Sequence, residues 1–224
     1  MSAARSQTPK GQRARSTILV AAEKLLVTRG FHGTSMRDIA KGARVPLATV
    51  VYHFTRKERL YAAVLAEIAA KLTDALVGAA TADDLAALLV RWSMTSPRRV
   101  VLLLRELLDN PSRIAKAAQL PLAPFLHRAT ELARAGGAAV PELAVLEVVG
   151  ALSYLVASRP TVDRIVGDAR AKQMAAVYEA HALSFARRTL GLAETRPYDV
   201  AKAVGSIRRS RTAQKTTATV GERR

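Results

Sequence analysis

Apolar residues recur three or four positions apart along most of the chain, which is the spacing of amphipathic helices. The first such stripe runs from Arg13 to Thr28 and is followed by Gly30, and glycine commonly ends a helix. A longer stripe covers Arg56 to Val77. The sequence carries no convincing alternating pattern of the kind that strands show. The pattern therefore predicts an all-α protein.

Between these two stripes the sequence predicts two short helices with helix-turn-helix spacing. Ser35 followed by Asp38 fits a capping box at the start of the first helix. The second helix is expected from Pro46 to about Phe54, since proline is tolerated in the first turn of a helix. We place the helix-turn-helix at about residues 35–54.

The remainder of the chain is also predicted to be helical, with breaks at Pro97, Pro111, the Gly136-Gly137 pair and Pro160. The expected helices are Ala82–Thr95, Arg98–Leu108, Pro111–Ala135, Pro141–Ser158 and Asp163–Gly191. We expect a flexible basic arm over residues 1–12 and a three-helix domain over 13–60. A larger helical domain follows over 61–190, and a basic tail over 191–224 has no pattern with which to pack.

Positive charge is concentrated at the two ends of the chain. The formal net charge is +17. Residues 1–57 hold 11 Lys and Arg against 2 Asp and Glu, and residues 187–224 hold 10 against 3. The segment between them is nearly neutral, with 14 against 13. This distribution favours a polyanion partner, with nucleic acid ahead of an anionic membrane surface.

Several classes of protein are disfavoured by what the sequence lacks. It contains no cysteine, which removes disulfides, thiolate metal sites and cysteine nucleophiles. The four histidines are scattered, and no glycine-rich phosphate loop is present. We therefore expect no enzyme, no cofactor and no metal. The longest apolar stretch, Leu143–Ala157, is short for a membrane span and carries Glu147, and no signal peptide is recognised, so a cytoplasmic protein is expected.

Residues 13–65 resemble the N-terminal DNA-binding domain of TetR-type transcriptional repressors. Many positions agree at once and in register, over about a quarter of the chain. The matching residues are Ile18-Leu19-Val20-Ala21-Ala22, Gly30-Phe31-His32-Gly33-Thr34-Ser35-Met36-Arg37-Asp38-Ile39-Ala40, then Ala43, Val45 and Thr49, and Tyr52-His53-Phe54-Thr55-Arg56-Lys57-Glu58-Arg59-Leu60.

The resemblance implies that residues 46–54 form a recognition helix in the major groove of DNA. Hydroxyl and cationic side chains would contact phosphates, Arg37 would reach a guanine edge, and Leu47 would touch a thymine methyl. The DNA-binding residues implied in this way are Thr34, Ser35, Arg37, Arg44, Pro46, Leu47, Thr49, Tyr52, His53 and Lys57.

The chain departs from the family pattern within this segment. Arg44 stands where the family usually has glycine in the turn, and a non-glycine residue at positive φ costs about 1 kcal/mol. Pro46 replaces a frequent serine and Ala48 a frequent glycine. Val51 replaces a tyrosine, which removes one phosphate contact. The operator sequence is therefore not transferable from relatives.

The resemblance further implies that the C-terminal helices form a homodimer and enclose a pocket for a small-molecule inducer. Two apolar stripes support a four-helix interface with a second copy, although both could be intrachain core. They are Val140, Leu143, Leu146, Val149 and Val156, and Met174, Val177, Tyr178, His181 and Phe185. The aliphatic composition suggests a largely apolar inducer. Candidate pocket residues are Trp92, Met94, Arg105, Phe125, His127 and Tyr154.

The sequence thus predicts a sequence-specific DNA-binding regulator, most simply a repressor that an inducer releases from a palindromic operator. It would act in the bacterial cytoplasm on nucleoid DNA, and its basic tail would strengthen non-specific binding. The alternative is an architectural nucleoid-associated protein, whose basic ends would bind any duplex without an operator or an inducer.

Overall fold

The computed structural model describes residues 8–109 and 120–192. Within these ranges the chain forms nine α-helices and no strand, which confirms the all-α prediction. Three predicted features lie wholly or partly outside the described residues: the first residues of the arm, the helix start at Pro111, and nearly all of the basic tail. The helices are α1 (Pro9–Arg29), α2 (Met36–Ala43), α3 (Leu47–Phe54), α4 (Lys57–Ala75), α5 (Ala82–Thr95), α6 (Pro97–Asp109), α7 (Ala123–Ala135), α8 (Pro141–Val166) and α9 (Asp168–Thr189).

Helix α1 begins at Pro9, four residues before the apolar stripe on which the prediction was based. Thr8 caps it by accepting a hydrogen bond from the Gly11 backbone N–H to its Oγ1 at 3.2 Å, and proline fits the first turn. Residues 9–12, which we expected to belong to the flexible arm, are therefore helical. The expected end is confirmed, since Gly30 has a φ of 71° and its N–H bonds to the Leu26 carbonyl at 2.9 Å.

Helix α8 continues through Pro160, so the predicted break at this residue is wrong. Proline removes one backbone hydrogen bond from a helix, but the turns on either side can hold it together. An ion pair between Arg159 Nε and Asp163 Oδ2, 3.6 Å apart, connects the residue before this proline to a residue one turn further along the helix. The helix ends instead at Gly167, where φ is 79°.

Because α8 is 26 residues long, it is long and apolar enough to cross a membrane, with a mean hydropathy of 1.4 over its most apolar window. It is the one such helix among the described residues. The sequence predicted no membrane span because its longest apolar stretch, Leu143–Ala157, is short for one and carries Glu147. By length and composition alone, a helix at the core or subunit interface of a globular protein has the same properties. One side of α8 packs against α5 and α9.

The described chain divides into two compact units. Among the described residues, the first comprises 8–78, 96–109 and 120–128, and the second comprises 79–95 and 129–192. The division differs from the predicted boundary at residue 60, because α4 and α6 both pack against α1. In the first unit α1 also contacts α2 and α3, and its buried side chains are Ile18, Leu19, Ala22 and Leu26.

In the second unit α5, α8 and α9 pack against one another. Asp83 on α5 and Arg187 on α9 form a two-point ion pair, with Oδ1 to Nε at 2.5 Å and Oδ2 to Nη2 at 3.0 Å. This hydrogen-bonded guanidinium lowers the pKa of the Asp83 carboxyl. Ser93 and Tyr178 connect the same two helices through their hydroxyl groups, 3.3 Å apart. Helices α5 and α9 are therefore joined by polar contacts as well as by apolar packing.

Glu23 joins three helices of the first unit. Its carboxylate on α1 accepts a hydrogen bond from Arg99 Nε on α6 at 2.5 Å and lies 4.0 Å from Lys71 Nζ on α4. The Glu23 side chain is only 17% exposed, so solvent screens this pair less than it screens a surface pair.

We expect Glu23→Gln to lower the melting temperature by about 2–6 °C, because a charge-assisted hydrogen bond in a half-buried site contributes roughly 1–2 kcal/mol. The matched control is Glu142→Gln, whose partner Arg134 Nη2 lies 3.0 Å away in a pair that is exposed on both sides. That variant should melt within about 1 °C of the wild type. Equal shifts in the two variants, measured by calorimetry, would contradict a special role for Glu23.

Candidate nucleic-acid interface

Helices α2 and α3 form the predicted helix-turn-helix, and the turn between them depends on Arg44. Arg44 has φ 55° and ψ 42°, the left-handed conformation that usually requires glycine. Its N–H bonds to the Lys41 carbonyl at 3.2 Å, and the Val45 N–H bonds to the Ala40 carbonyl at 3.0 Å. This pair of bonds is the Schellman motif, which satisfies the last carbonyls of α2. The predicted positive φ at Arg44 is confirmed.

The start of α2 is fixed by the predicted capping box. The Asp38 N–H donates to Ser35 Oγ at 3.1 Å. In return, Asp38 Oδ2 accepts from the Ser35 N–H at 3.0 Å and from its hydroxyl at 2.6 Å. These bonds from Ser35 lower the pKa of the Asp38 carboxyl. Ser35 is exposed, but its hydroxyl proton is already donated within the protein, so a phosphate would compete with Asp38 for it.

Thr34 is placed differently from the sequence-based expectation. Its side chain is 2% exposed, and its hydroxyl donates to the Gly30 carbonyl at 2.9 Å. A buried hydroxyl with a backbone partner holds the loop between α1 and α2 rather than presenting itself to phosphate. The Thr34 hydroxyl is therefore used within the loop, and a contact of this residue with DNA stays a prediction.

Lys57, the first residue of α4, holds the same loop from the other side. Its Nζ donates to the Phe31 carbonyl at 3.0 Å and to the Thr34 carbonyl at 3.1 Å. The ammonium also lies 4.2 Å from the centroid of the Phe31 ring, a cation–π contact. Two of its three N–H donors are thus used within the protein, which leaves one for an external phosphate.

Helix α3 has a buried side and an exposed side of different character. Val50 and Phe54, one turn apart, are buried and attach the helix to the rest of the unit. On the other side Leu47 and Val51 are exposed, and Tyr52 is 65% exposed. Exposed apolar and aromatic side chains grouped on one side of a helix are typical of a surface that binds another molecule.

The predicted DNA-binding residues differ in accessibility. Arg37, Arg44 and Pro46 are exposed with Ser35, Leu47 and Tyr52, while Thr49, His53 and Lys57 are half-buried. Val51 is not among the predicted contacts, although its side chain is 43% exposed. The spacing of Leu47 and Val51, one turn apart and out of phase with Val50 and Phe54, could have indicated this face.

His53 and Arg15 meet at the C-terminal end of α3. The guanidinium carbon of Arg15, on α1, lies 5.4 Å from the centroid of the Phe54 ring. The His53 ring makes an edge contact with Tyr52, with centroids 5.2 Å apart. Burial, and secondarily the charge of Arg15, lower the pKa of His53. Arg15, three residues before buried Ile18, is not among the predicted contacts.

The residue that follows α3 also has a strained backbone conformation. Thr55 has φ 57° and ψ −51°, and the N–H of Arg56 bonds back to the Phe54 carbonyl, which forms a γ-turn. A β-branched residue rarely adopts a positive φ. Arg44 and Thr55 are the two non-glycine residues with positive φ in the described chain, and they lie immediately before and after the segment 45–54.

The candidate pocket residues fall in both units and differ in burial. In the first unit Phe125 is buried while Arg105 and His127 are exposed. In the second unit Trp92 is half-buried, and Met94 and Tyr154 are exposed. The depression described in the second unit is lined by other residues, namely Pro160, Thr161, Arg164 and Ile165. A pocket formed by the six remains a prediction. Within the described ranges, no group of three or more potential metal ligands occurs.

Known proteins resemble this chain most clearly in the segment that contains the helix-turn-helix. Residues 18–64 match the family model for bacterial regulatory proteins of the tetR family. An HTH-type transcriptional repressor of Mycobacterium tuberculosis is 40% identical over 80 residues, and a transcriptional regulator of Mycobacterium bovis matches equally well. The match spans 35% of this chain and 43% of each relative, so it covers less than half of their length.

Solved structures extend the similarity of fold to most of the chain. A transcriptional regulator from Streptomyces coelicolor superposes with a TM-score of 0.62 at 21% identity, over 78% of this chain and 97% of its own. A tetR-family regulatory protein from Rhodococcus gives 0.60 at 19% identity, over 81% and 99%. Identity at this level shows the shared helical fold. The N-terminal helix-turn-helix segment of this chain, residues 18–64, is therefore that of the TetR family of bacterial regulatory proteins.

Proposed function

We propose that this protein is a homodimeric transcriptional repressor that binds a palindromic operator through α2 and α3 and is released by a small, largely apolar inducer. The observation that carries the proposal is the exposed side of α3, where Leu47, Val51 and Tyr52 are uncovered while the buried side anchors the helix. A helix of this width fits the major groove of B-DNA. Such a regulator acts in the bacterial cytoplasm, on DNA of the nucleoid.

The electrostatics around α3 support a DNA partner. Arg37 on α2 and Arg44 in the turn are exposed, and Arg56 follows the helix, also exposed. Residues 1–57 hold 11 basic against 2 acidic residues, which would favour approach of the phosphate backbone. Arg37 has the donor geometry for the N7 and O6 atoms of guanine, so it is our candidate for direct base recognition.

A dimer is supported by the uncovered side of α8. Leu143 and Leu146 are each 55% exposed, Tyr154 is 69% exposed, and a side chain added at Gly150 would meet open space. These positions are spaced three or four apart and therefore form one stripe along the helix. A second copy packed on this stripe would bury it and would place two recognition helices on successive major-groove faces, about 34 Å apart.

The inducer is the least constrained part of the proposal. The second unit is predominantly aliphatic, which favours an apolar ligand over a strongly charged one. The ligand would act by binding preferentially to dimers whose recognition helices no longer fit the operator. Operator affinity that stays unchanged at saturating concentrations of every ligand found to raise the melting temperature would contradict this mechanism.

The first experiment is selection of genomic DNA fragments by the purified full chain at about 150 mM salt, where non-specific binding is weak. We expect recovery of one or a few palindromes, bound about 10³-fold or more tightly than random duplex. Uniform recovery of all fragments would contradict the proposal and would favour an architectural DNA-binding protein.

Arg37→Ala should lower affinity for the selected palindrome by roughly 10- to 100-fold, because one bidentate base contact is worth about 1–3 kcal/mol. The loss should be confined to base pairs at one position of each half-site, which competition with single-base variants measures. Arg170→Ala removes the same charge from the exposed start of α9 and serves as the control. Equal losses in both variants would mean that Arg37 contributes only charge.

Arg44→Gly should separate the two roles of the turn. Glycine relieves the left-handed conformation, so the melting temperature should stay level or rise by up to about 4 °C. The lost charge should reduce the slope of log K against log salt by about 0.9 if Arg44 contacts a phosphate. Arg44→Lys keeps both charge and strain and should behave as wild type. A lower melting temperature for the glycine variant would contradict the strain argument.

Leu146→Glu should weaken dimerisation at least about tenfold, because the carboxylate would be buried without a partner. Sedimentation velocity over a range of concentrations measures this constant, and binding to the full palindrome should weaken in parallel. The control is Val77→Glu, since Val77 is 83% exposed and lies outside the α8 stripe. A variant that remains as dimeric as wild type would remove α8 from the proposed interface.

A further inference from the structure

Arg15 occupies an unusual position for a cation. It lies on the side of α1 that carries buried Ile18, Leu19 and Ala22, at three, four and seven residues' distance. The side chain is half-buried, and its guanidinium is placed over the ring of Phe54, at the end of α3. Helix α1 thus brings a positive charge directly beside the proposed recognition helix.

This guanidinium has no anionic partner among the residues that the structure describes. None of the carboxylates whose side chains the structure describes lies within 4.0 Å of it, whereas Arg99, Arg159 and Arg187 all have such partners. Its guanidinium carbon lies 5.4 Å from the centroid of the Phe54 ring, and its N–H groups donate no hydrogen bond to a described residue. A planar fork of donors is the geometry that binds a phosphate at two points.

The surroundings of Arg15 also lack a compensating charge. His53 is the titratable neighbour at this end of α3, and the positive charge of Arg15 disfavours its protonation. An anion placed at the junction would satisfy the free donors of Arg15 and reduce its repulsion of a protonated His53. The simple alternative is that water satisfies the edge donors and that Arg15 only covers Phe54.

We propose that Arg15, from outside the helix-turn-helix, is an additional ligand for a DNA phosphate beside the C-terminal end of the recognition helix. The proposal rests on the proposed DNA-binding function and adds α1 to its contact surface. A phosphate is favoured over a base edge because the N-terminal residues of a recognition helix reach the bases, while its flanks lie near the backbone.

The test compares Arg15→Gln with wild type in fluorescence anisotropy titrations of a random-sequence duplex between 50 and 200 mM salt, using the full chain. One lost phosphate contact should reduce the slope of log K against log salt by about 0.9. The ratio of affinities at the two salt concentrations should therefore fall about threefold. Arg15→Lys, which keeps the charge, should restore most of the slope.

Lys172→Gln is the matched control, since it removes one exposed cation from α9 in the other unit. We expect it to keep the wild-type slope. A wild-type slope in Arg15→Gln, or equal reductions in Arg15→Gln and Lys172→Gln, would overturn the proposal. The salt dependence is measured on a random duplex, so it does not require a preferred palindrome. If no palindrome is selected, the proposed regulatory function is refuted, but the contribution of Arg15 to phosphate binding is still measured.

A titration of His53 by NMR provides a readout that does not depend on DNA affinity. Removing the charge of Arg15 should raise the pKa of His53 in the free Arg15→Gln variant, provided that an unchanged melting temperature shows the variant to be folded. Addition of duplex should raise the pKa of His53 in wild type more than in this variant. An equal effect of DNA on both proteins would favour the water-covered alternative.

Discussion

The burial of Val50 and Phe54 is the constraint on which the recognition surface depends. A helix of eight residues forms too few backbone hydrogen bonds to be stable alone, so α3 is helical because tertiary packing holds it. These two side chains occupy one stripe, which fixes the rotation of the helix about its axis. That rotation in turn determines that Leu47, Val51 and Tyr52 are uncovered. The apolar core and the proposed binding surface are therefore two sides of the same eight residues.

Polar side chains near the helix-turn-helix divide into those used internally and those left available. The hydroxyls of Thr34 and Ser35 and two donors of Lys57 satisfy backbone or capping partners and hold the loop before α2 in place. Arg37, Arg44 and Tyr52 are exposed. A binding surface must be preorganised before it can discriminate, so the internally bonded group contributes by fixing the positions of the exposed group.

The sequence predicted the helices of the first unit well because their signals are local. Periodicity, the Ser35–Asp38 capping box and Gly30 each act within one or two turns of the chain. Predictions failed where distant residues decide the outcome. Proline usually ends a helix, but α8 continues through Pro160 with one side packed on α5 and α9. The bonds of Lys57 to carbonyls 23 and 26 residues away, and the approach of Arg15 to Phe54, carry no signature in spacing or composition.

The two non-glycine residues with positive φ, Arg44 and Thr55, give the segment between them a defined start and end. A helix cannot propagate through such a residue, so neither α2 nor α4 can extend into α3, whatever side chains α3 carries. Its outward positions contribute nothing to the capping, the turns or the core. They are consequently free to vary in sequence while the frame stays the same. Under the proposed function, α3 would be an interchangeable reading element, and new operators would evolve by substitution on one side of a single short helix.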